Sequence, residues 1–89
     1  MRIEFDPAKD RTNRADHGVS LAVAEQLDWD AARVWVDDRY EYEELRMIAL
    51  APETSTLYYV AFVERGNVRR IIGLRRATRR EVKHYVQSI

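Results

Sequence analysis

Four guanidinium groups are concentrated near the end of the chain, in the stretch Arg75-Arg76-Ala77-Thr78-Arg79-Arg80. Thr78 and Glu81 have the spacing of a capping box, in which a threonine caps a helix and a glutamate three residues later caps it in return. Arg79 and Arg80 would then be the first two helical residues, where the helix dipole disfavours cations. A bound phosphate would relieve this repulsion and accept hydrogen bonds from the free N–H groups of the helix terminus. The stretch therefore predicts an anion site formed by its four arginines.

The distribution of charge favours the same interpretation. The chain has 15 basic and 15 acidic residues, but eight of the basic residues and only one acid, Glu81, lie between positions 65 and 83. That segment therefore carries +7 and the rest of the chain −7. Thirteen of the 15 basic residues are arginine, whose planar fork suits bidentate phosphate contacts. Composition thus predicts a polyanion-binding surface on an acidic body, and the alternative is internal pairing with Asp37, Asp38 or the acids at 41–44.

Two histidines are candidates for proton transfer near neutral pH. His17 lies at the end of a predicted helix, where it could cap the helix as a cation or act as an acid or base. His84 belongs to the last predicted helix and is expected to be exposed. The two are too far apart in the sequence for a local metal motif, and the absence of cysteine excludes thiolate zinc sites and cysteine nucleophiles. We therefore expect no metal and no cofactor.

Capping signals and periodicity indicate the elements that would position these residues. Residues 2–6 alternate in polarity and predict a short strand, after which Asp6 and Pro7 begin a helix that ends at His17-Gly18. Ser20 is expected to cap a second helix with an apolar stripe formed by Leu21, Ala24 and Leu27.

The middle of the chain predicts strands over 33–37, 43–50, 56–64 and 68–74, the last two joined by a turn at Arg65-Gly66-Asn67. Tyr58 and Tyr59 are adjacent in one of these strands, so one is expected in the core and the other in a groove where it could stack on a base. A last helix follows, expected to dock on the sheet through Val82, Tyr85, Val86 and Ile89. The order βααββββα predicts an α+β fold with two N-terminal helices, a mostly antiparallel sheet and a C-terminal helix.

The length of 89 residues is expected to form one domain, spanning 1–89. No window approaches the roughly 18 consecutive apolar residues of a membrane span. The N-terminus also lacks the apolar segment of a secretory signal. We therefore expect no membrane association and a cytoplasmic location.

Residues at both ends of the chain resemble the signatures of the BrnT family. The opening signature is matched by Phe5-Asp6-Pro7-Ala8-Lys9, Asn13 and His17-Gly18-Val19-Ser20. The closing signature is matched by Glu64-Arg65-Gly66, Ile71-Ile72, the stretch from Arg75 to Glu81, and Tyr85. The order of predicted elements agrees as well, so the resemblance covers essentially the whole chain.

The resemblance implies a ribonuclease toxin of a type II toxin–antitoxin system, with a RelE-like fold, that inhibits translation by cleaving RNA. It also implies a BrnA-like antitoxin with a ribbon-helix-helix domain, which would hold the toxin in a heterotetramer or larger complex on operator DNA. Carried over by position, the candidate catalytic residues are Lys9, His17, Arg65, Arg76, Arg79 and Arg80. The candidate RNA phosphate-binding residues are Arg75, Arg76, Arg79 and Arg80.

RNA cleavage fits a chain without an evident metal motif, because the 2′-hydroxyl of RNA can attack the adjacent phosphate once it is deprotonated and positioned. On this hypothesis the arginines at 76, 79 and 80 would clamp the phosphate, with Arg65 approaching from the hairpin turn. Proton transfer would fall to His17 or Lys9. Two alternatives remain open: a non-catalytic nucleic-acid-binding protein that uses the same basic residues, and an interaction module that receives an acidic partner protein.

Overall fold

The computed structural model describes residues 1–39, 41 and 43–89. Its strands are β1 (Arg2–Glu4), β2 (Arg33–Val36), β3 (Met47–Glu53), β4 (Thr56–Arg65) and β5 (Val68–Arg76). They form one sheet in the order β1-β5-β4-β3-β2, in which β1 lies parallel to β5 and all other neighbours are antiparallel. The helices are α1 (Pro7–His17), α2 (Arg79–Gln87) and two 3₁₀ helices (Leu21–Gln26 and Trp29–Ala31). The predicted α+β class, mostly antiparallel sheet and C-terminal helix are confirmed.

The first helix begins and ends where its capping residues predict. The Asp6 carboxylate accepts a hydrogen bond from the Ala8 N–H at 2.8 Å, and Pro7 occupies the first helical position, where no N–H is needed. Gly18 adopts the left-handed conformation (φ 74°) that ends many helices, and its N–H bonds to the Arg14 carbonyl.

The second N-terminal helix is a 3₁₀ helix, which corrects the predicted order of elements. Ser20 caps it as expected, by accepting a hydrogen bond from the Ala22 N–H at 3.0 Å. The apolar residues recur every three positions, so a helix of three residues per turn aligns all of them toward the core, namely Leu21, Ala24 and Leu27. The Ala24 carbonyl also accepts a hydrogen bond from the Trp29 indole N–H at 2.9 Å, which competes with a backbone hydrogen bond of an α-helix. Spacing and side-chain competition therefore favour the tighter helix.

The strands differ from the predicted set in the position of β3. Residues 43–46 precede the strand, which runs from Met47 to Glu53 and pairs with β4 from Met47↔Phe62 to Glu53↔Thr56. The tight turn into β4 therefore lies at 54–55, where Thr54 has a positive φ of 52°. The β4–β5 hairpin turns at Gly66 (φ 62°) as predicted.

One face of the sheet packs against the first 3₁₀ helix and forms the main core, whereas α1 lies along the edge of β5 and buries only Asn13. Because side chains alternate along a strand, Tyr58, Val60 and Phe62 of β4 point to this face. They meet Leu21 and Ala24, which are fully buried. Tyr58 is therefore the core tyrosine, and Tyr59 lies on the opposite face.

The opposite face carries α2, which runs across the strands. Arg33, Leu50, Tyr59 and Arg75 form one row through the sheet by register. Glu81 of α2 bonds to Arg75 at one end of this row, and Ser88 accepts hydrogen bonds from Arg33 at the other. Tyr85 is partly buried and donates its hydroxyl to Ala31 of the second 3₁₀ helix, whereas Val82, Val86 and Ile89, also predicted to dock, are 40%, 57% and 73% exposed.

Candidate functional site

A buried asparagine fixes α1 against the edge of β5. β1 pairs only with residues 68–70 of β5, so the later part of β5 has no neighbouring strand on that side. The Asn13 side chain takes that place, accepting from the Leu74 N–H (3.1 Å) and donating to the Leu74 carbonyl (2.8 Å). It also donates to the Val19 carbonyl at 2.9 Å. Asn13 is thus hydrogen-bonded at both ends of its amide and sets the position of α1 along β5.

The two candidates for proton transfer lie on the same side of α1 as Asn13. Lys9 and His17 are four residues before and after it, and such residues share one side of a helix. Lys9 lines a cavity with Arg70 and Ile72 of β5, whereas Asn13 contacts Leu74. α1 therefore runs in the same direction as β5, and His17 lies toward the end of β5 that carries Arg75 and Arg76. The structure places Lys9 in a cavity with Arg70, and His17 two turns farther along α1.

A first group of cations surrounds a cavity of about 280 Å³ beside the β4–β5 hairpin. The cavity is lined by Lys9, Glu43, Glu44, Arg46, Val63, Arg65, Arg70 and Ile72. We call it the hairpin cavity. Four of its eight lining residues are cations and two are acids. The Arg70 guanidinium is held by Glu4 at 3.0 Å.

Arg65 in the hairpin cavity binds a carboxylate from its own chain. Its guanidinium donates to both Glu44 oxygens, with Nε at 2.9 Å from Oε2 and a second nitrogen at 2.5 Å from Oε1. The hydrogen bonds from Arg65 hold the pKa of Glu44 below its ordinary value, and Glu44 in turn raises the pKa of Arg65. Both side chains are about half exposed, at 50% and 49%.

A second group of cations lies at the junction of β5 and α2. Thr78 caps α2, and the capping box with Glu81 is complete: Thr78 N–H to Glu81 is 2.8 Å and Glu81 N–H to Thr78 is 3.2 Å. Arg79 and Arg80 are therefore the first two residues of α2, as predicted. Together with Arg76, both are exposed, and in the described part of the chain none of the three has a carboxylate partner. We call Arg76, Arg79 and Arg80 the arginine corner.

Arg75 differs from its neighbours because it is bound within the fold. Its guanidinium lies 4.0 Å over the Tyr59 ring and donates to both Glu81 oxygens at 2.8 and 2.9 Å. The hydrogen bonds to Glu81 raise the pKa of Arg75 and lower the pKa of Glu81. Tyr59 is thereby covered by a side chain of its own sheet, in the position where the sequence suggested a stacking surface. Among the described residues, Arg75 is thus the one of the four predicted arginines that pairs with an internal carboxylate.

Of the acids that the sequence offered as internal partners of the basic segment 65–83, Glu44 does pair with a member of that segment, Arg65, whereas Asp37 pairs with Arg39 outside it. Asp37 is buried and binds Arg39 at 2.8 and 2.9 Å, and Glu44 binds Arg65. Sequence reasoning did not identify Glu44 and Arg46 as part of a cavity. In the sequence, Glu44 stands out only as part of an acidic run, and such a run does not show which cation each acid binds.

The hairpin cavity and the arginine corner lie at opposite ends of the β4–β5 hairpin. Arg65 pairs with Val68 at the turn, and Tyr59 pairs with Arg75 near the other end. Arg65 and Tyr59 are six positions apart on β4, which corresponds to about 20 Å at roughly 3.3 Å per residue. Lys9 and Arg65 therefore lie together in the hairpin cavity, and Arg76, Arg79 and Arg80 form the separate arginine corner. His17 lies two turns beyond Lys9 on α1.

Across residues 1–39, 41 and 43–89, no three histidine or acidic side chains are grouped as metal ligands would be. None of the described helices has the length and apolar composition needed to cross a membrane.

Comparison with known proteins agrees with the two signatures at the ends of the chain. A search of curated proteins finds none that matches. The family model of the BrnT ribonuclease toxin of type II toxin–antitoxin systems matches residues 5–81, which include α1, the whole β2–β5 sheet region and the start of α2. Since the match covers most of the 89 residues, the chain belongs to the BrnT family of ribonuclease toxins.

Proposed function

We propose that this protein cleaves RNA without a metal ion, by attack of a 2′-hydroxyl on the adjacent phosphate, and thereby inhibits translation. The observation that supports this most directly is the arginine corner: three exposed guanidinium groups without carboxylate partners among the described residues, two of them on the first turn of α2. Cations at this end of a helix are unfavourable unless an anion binds there. An RNA phosphate supplies that anion.

The reaction requires one bond to form, one to break and two proton transfers. The 2′-oxygen forms a bond to phosphorus as a base takes its proton, and the bond to the 5′-oxygen breaks as an acid protonates the leaving oxygen. The products are a 2′,3′-cyclic phosphate and a 5′-hydroxyl. Negative charge builds on the non-bridging oxygens in the transition state, where the cations of the arginine corner would stabilise it.

His17 is our candidate for proton transfer at the arginine corner. It ends α1 on the side that faces the edge of β5, and it is exposed to solvent. An imidazole can act as base or acid near neutral pH. Lys9 is the alternative, and it would place the reaction in the hairpin cavity with Arg65.

We further propose a RelE-like fold and a BrnA-like antitoxin with a ribbon-helix-helix domain. Toxins of type II systems pair with an antitoxin protein, and the family match extends that pairing to this chain. The proposed complex is a heterotetramer or larger, attached to operator DNA through the antitoxin. Co-expression with the adjacent open reading frame and purification through a tag on the toxin would test the pairing.

Cleavage of an end-labelled structured RNA in excess EDTA tests the proposed reaction. We expect cuts with 2′,3′-cyclic phosphate ends, and a rate about 10²–10³ lower for Arg80→Ala, by analogy with removal of one oxyanion-stabilising donor. Arg11→Ala removes an exposed cation from the opposite side of α1 and serves as the control. A wild-type rate for Arg80→Ala together with a large loss for Lys9→Ala would move the reaction to the hairpin cavity.

The same assay, repeated with ribosomes present, addresses the non-catalytic alternative. If RNA binds but is cut under neither condition, the protein acts as a nucleic-acid-binding protein and the proposed reaction is wrong. Cutting that requires a divalent ion would contradict the metal-independent mechanism.

A further inference from the structure

We propose that two copies of this protein associate through the free edge of β2, with the two β2 strands antiparallel about a twofold axis at Trp35. The two sheets then form one continuous sheet of twice as many strands. The inference concerns self-association and goes beyond the proposed function, because it depends on neither RNA binding nor RNA cleavage.

The β2 edge of the sheet is open and apolar. β2 is the last strand in the order β1-β5-β4-β3-β2, and among the described residues β3 is its one partner. Three consecutive apolar residues lie on it, Val34, Trp35 and Val36, each 39–44% exposed. Proteins usually protect such an edge with charged residues, proline or a covering segment, because its unpaired N–H and C=O groups can pair with another strand. At the opposite edge of the sheet, β1 carries charges at Arg2 and Glu4.

The unpaired backbone groups of β2 belong to Val34 and Val36. The Asp37 N–H donates to the Arg46 carbonyl at 2.8 Å and continues the β2–β3 register by one pair. Hydrogen-bonded pairs alternate along antiparallel strands, so Trp35 also directs its backbone groups to β3, and the two valines direct theirs away from the sheet. A second β2 centred on Trp35 brings Val34 opposite Val36 of the other copy, twice, and each of these pairs can exchange two hydrogen bonds.

The sequence of this edge fits a second copy of itself. A twofold interface requires a surface that is complementary to itself. Residues 33–37 read Arg-Val-Trp-Val-Asp, which is symmetric about Trp35 in its apolar residues and opposite in charge at its two ends. In the antiparallel pairing each valine faces a valine, Trp35 faces Trp35, and Arg33 faces Asp37. Asp37 keeps its own contact with Arg39, so the benefit is that no like charges meet directly across the strands.

Trp35 supplies the main side-chain contact across the twofold axis. Its ring meets the His84 ring of α2 edge to face, with centroids 6.3 Å apart, so α2 supports it from one side. Since the two Trp35 residues form a pair without hydrogen bonds, their Cα atoms lie about 4.5 Å apart and the indoles pack against each other. A strand pair of this length buries less than the roughly 800 Å² per partner of a standard interface. We therefore expect a weak dimer, with a dissociation constant of about 10 μM to 1 mM.

Sedimentation velocity over the range from about 5 μM to 1 mM measures this association. Val34→Lys and Val36→Glu each place charges opposite apolar side chains in both valine pairs, and we expect each to weaken the dimer about five- to tenfold. The double variant Val34→Lys/Val36→Glu places lysine opposite glutamate in both pairs and should restore the association. Val82→Lys is the matched control, because Val82 is a valine of similar exposure that follows Glu81, the residue of α2 bound to Arg75 of β5.

Disulfide formation tests the position of the twofold axis. The chain has no cysteine, so Trp35→Cys introduces a single thiol. Two such thiols at the axis lie within the roughly 4.4–6.8 Å Cα separation of a disulfide, and we expect mild oxidation to link them about tenfold faster than those of Val82→Cys. Thermal unfolding of each variant checks that the fold is retained.

Three results would overturn the inference. The first is a protein that stays monomeric up to 1 mM with no faster linkage of Trp35→Cys, which would leave the β2 edge to a strand of another protein. The second is a dimer that the single substitutions in β2 do not weaken. The third is a double variant that stays as weak as the single variants, which would exclude the register centred on Trp35. None of these measurements contains RNA, so the proposed reaction can fail without affecting them.

Discussion

At the scale of single residues, the Asn13 side chain makes the hydrogen bonds that a neighbouring strand would make at the edge of β5. Its amide satisfies the N–H and the carbonyl of Leu74 at an edge of β5 where β1 no longer reaches, and it also binds the Val19 carbonyl. Only a side chain that donates and accepts at once can do this from a helix. Asn13 thereby fixes where Lys9 and His17 lie along the hairpin.

We predict that Asn13→Ala destabilises the fold by about 3 kcal/mol, since it leaves one N–H and two carbonyl groups of the interior without their partner. The loss is measured as the shift in the urea concentration at the unfolding midpoint, with the m value unchanged between wild type and variant. Thr12→Ala is the control, because Thr12 is exposed and its hydroxyl donates to the Ala8 carbonyl of its own helix at 3.3 Å. We expect it to cost less than about 0.5 kcal/mol. Equal losses for the two variants would contradict the role given to the Asn13 amide.

At the scale of elements, α2 is attached to the sheet by polar contacts more than by apolar burial. None of its residues is fully buried. Its polar contacts include the Arg75–Glu81 pair, the Tyr85 hydroxyl donating to the Ala31 carbonyl at 2.7 Å, and the Arg33–Ser88 hydrogen bonds. The His84 ring also meets the Trp35 ring of β2 edge to face, with centroids 6.3 Å apart. Glu81 is central because one carboxylate both completes the capping box and holds Arg75. The attachment of α2 should therefore depend on pH.

The sign of this dependence follows from the pKa of Glu81. Hydrogen bonds from Arg75 hold that pKa below the ordinary value of 4.5, so the pair stabilises the fold fully above pH 4.5 and loses its contribution as the pH falls through the lowered pKa. We predict that Glu81→Gln costs about 1 kcal/mol at pH 7 and progressively less below pH 4.5.

Urea unfolding of both proteins from pH 7 to pH 3 measures this difference. Glu25→Gln is the control, an exposed acid on the first 3₁₀ helix for which the described residues show no ion pair. A gap between wild type and Glu81→Gln that stays constant over this range would contradict the assigned pair.

At the scale of the whole molecule, a chain with no net charge presents separated regions of opposite sign. The segment 65–83 carries eight cations and one acid. Four of these cations pair with acids of the chain, namely Arg65, Arg69, Arg70 and Arg75, and three others form the arginine corner. Neutral proteins gain little from long-range attraction, so RNA affinity should depend on these local groups.

We predict that the logarithm of RNA affinity falls linearly with the logarithm of salt concentration, and that Arg79→Ala reduces the magnitude of this slope by about 0.7, the value for one single-strand phosphate contact. A 2′-O-methyl oligonucleotide keeps cleavage out of the measurement. Arg11→Ala removes the same charge from the outer side of α1 and should leave the slope unchanged. A similar reduction in both variants would mean that RNA does not bind at a defined surface.

Much of the fold was predictable because its signals are local. Some features depend only on neighbouring residues and their preferred backbone conformation. These are the caps of α1 and α2, the turn at Gly66 and the strand character of β4. The predictions that failed depend on packing: the 3₁₀ form of Leu21–Gln26, the start of β3 at Met47 and the exposure of Val86. Periodicity identifies an apolar stripe but not what it contacts.

The sequence by itself determined which residue types the site contains and that four arginines, Arg75, Arg76, Arg79 and Arg80, are concentrated at the start of α2. Only the tertiary structure decided which cations are already bound, because ion pairs such as Arg65–Glu44 join residues far apart in the chain. It also decided that Lys9 and His17 lie toward opposite ends of the β4–β5 hairpin, since α1 runs along β5 and Asn13 fixes its position. Charge and capping act between neighbours in sequence, whereas pairing and distance follow from strand register and packing.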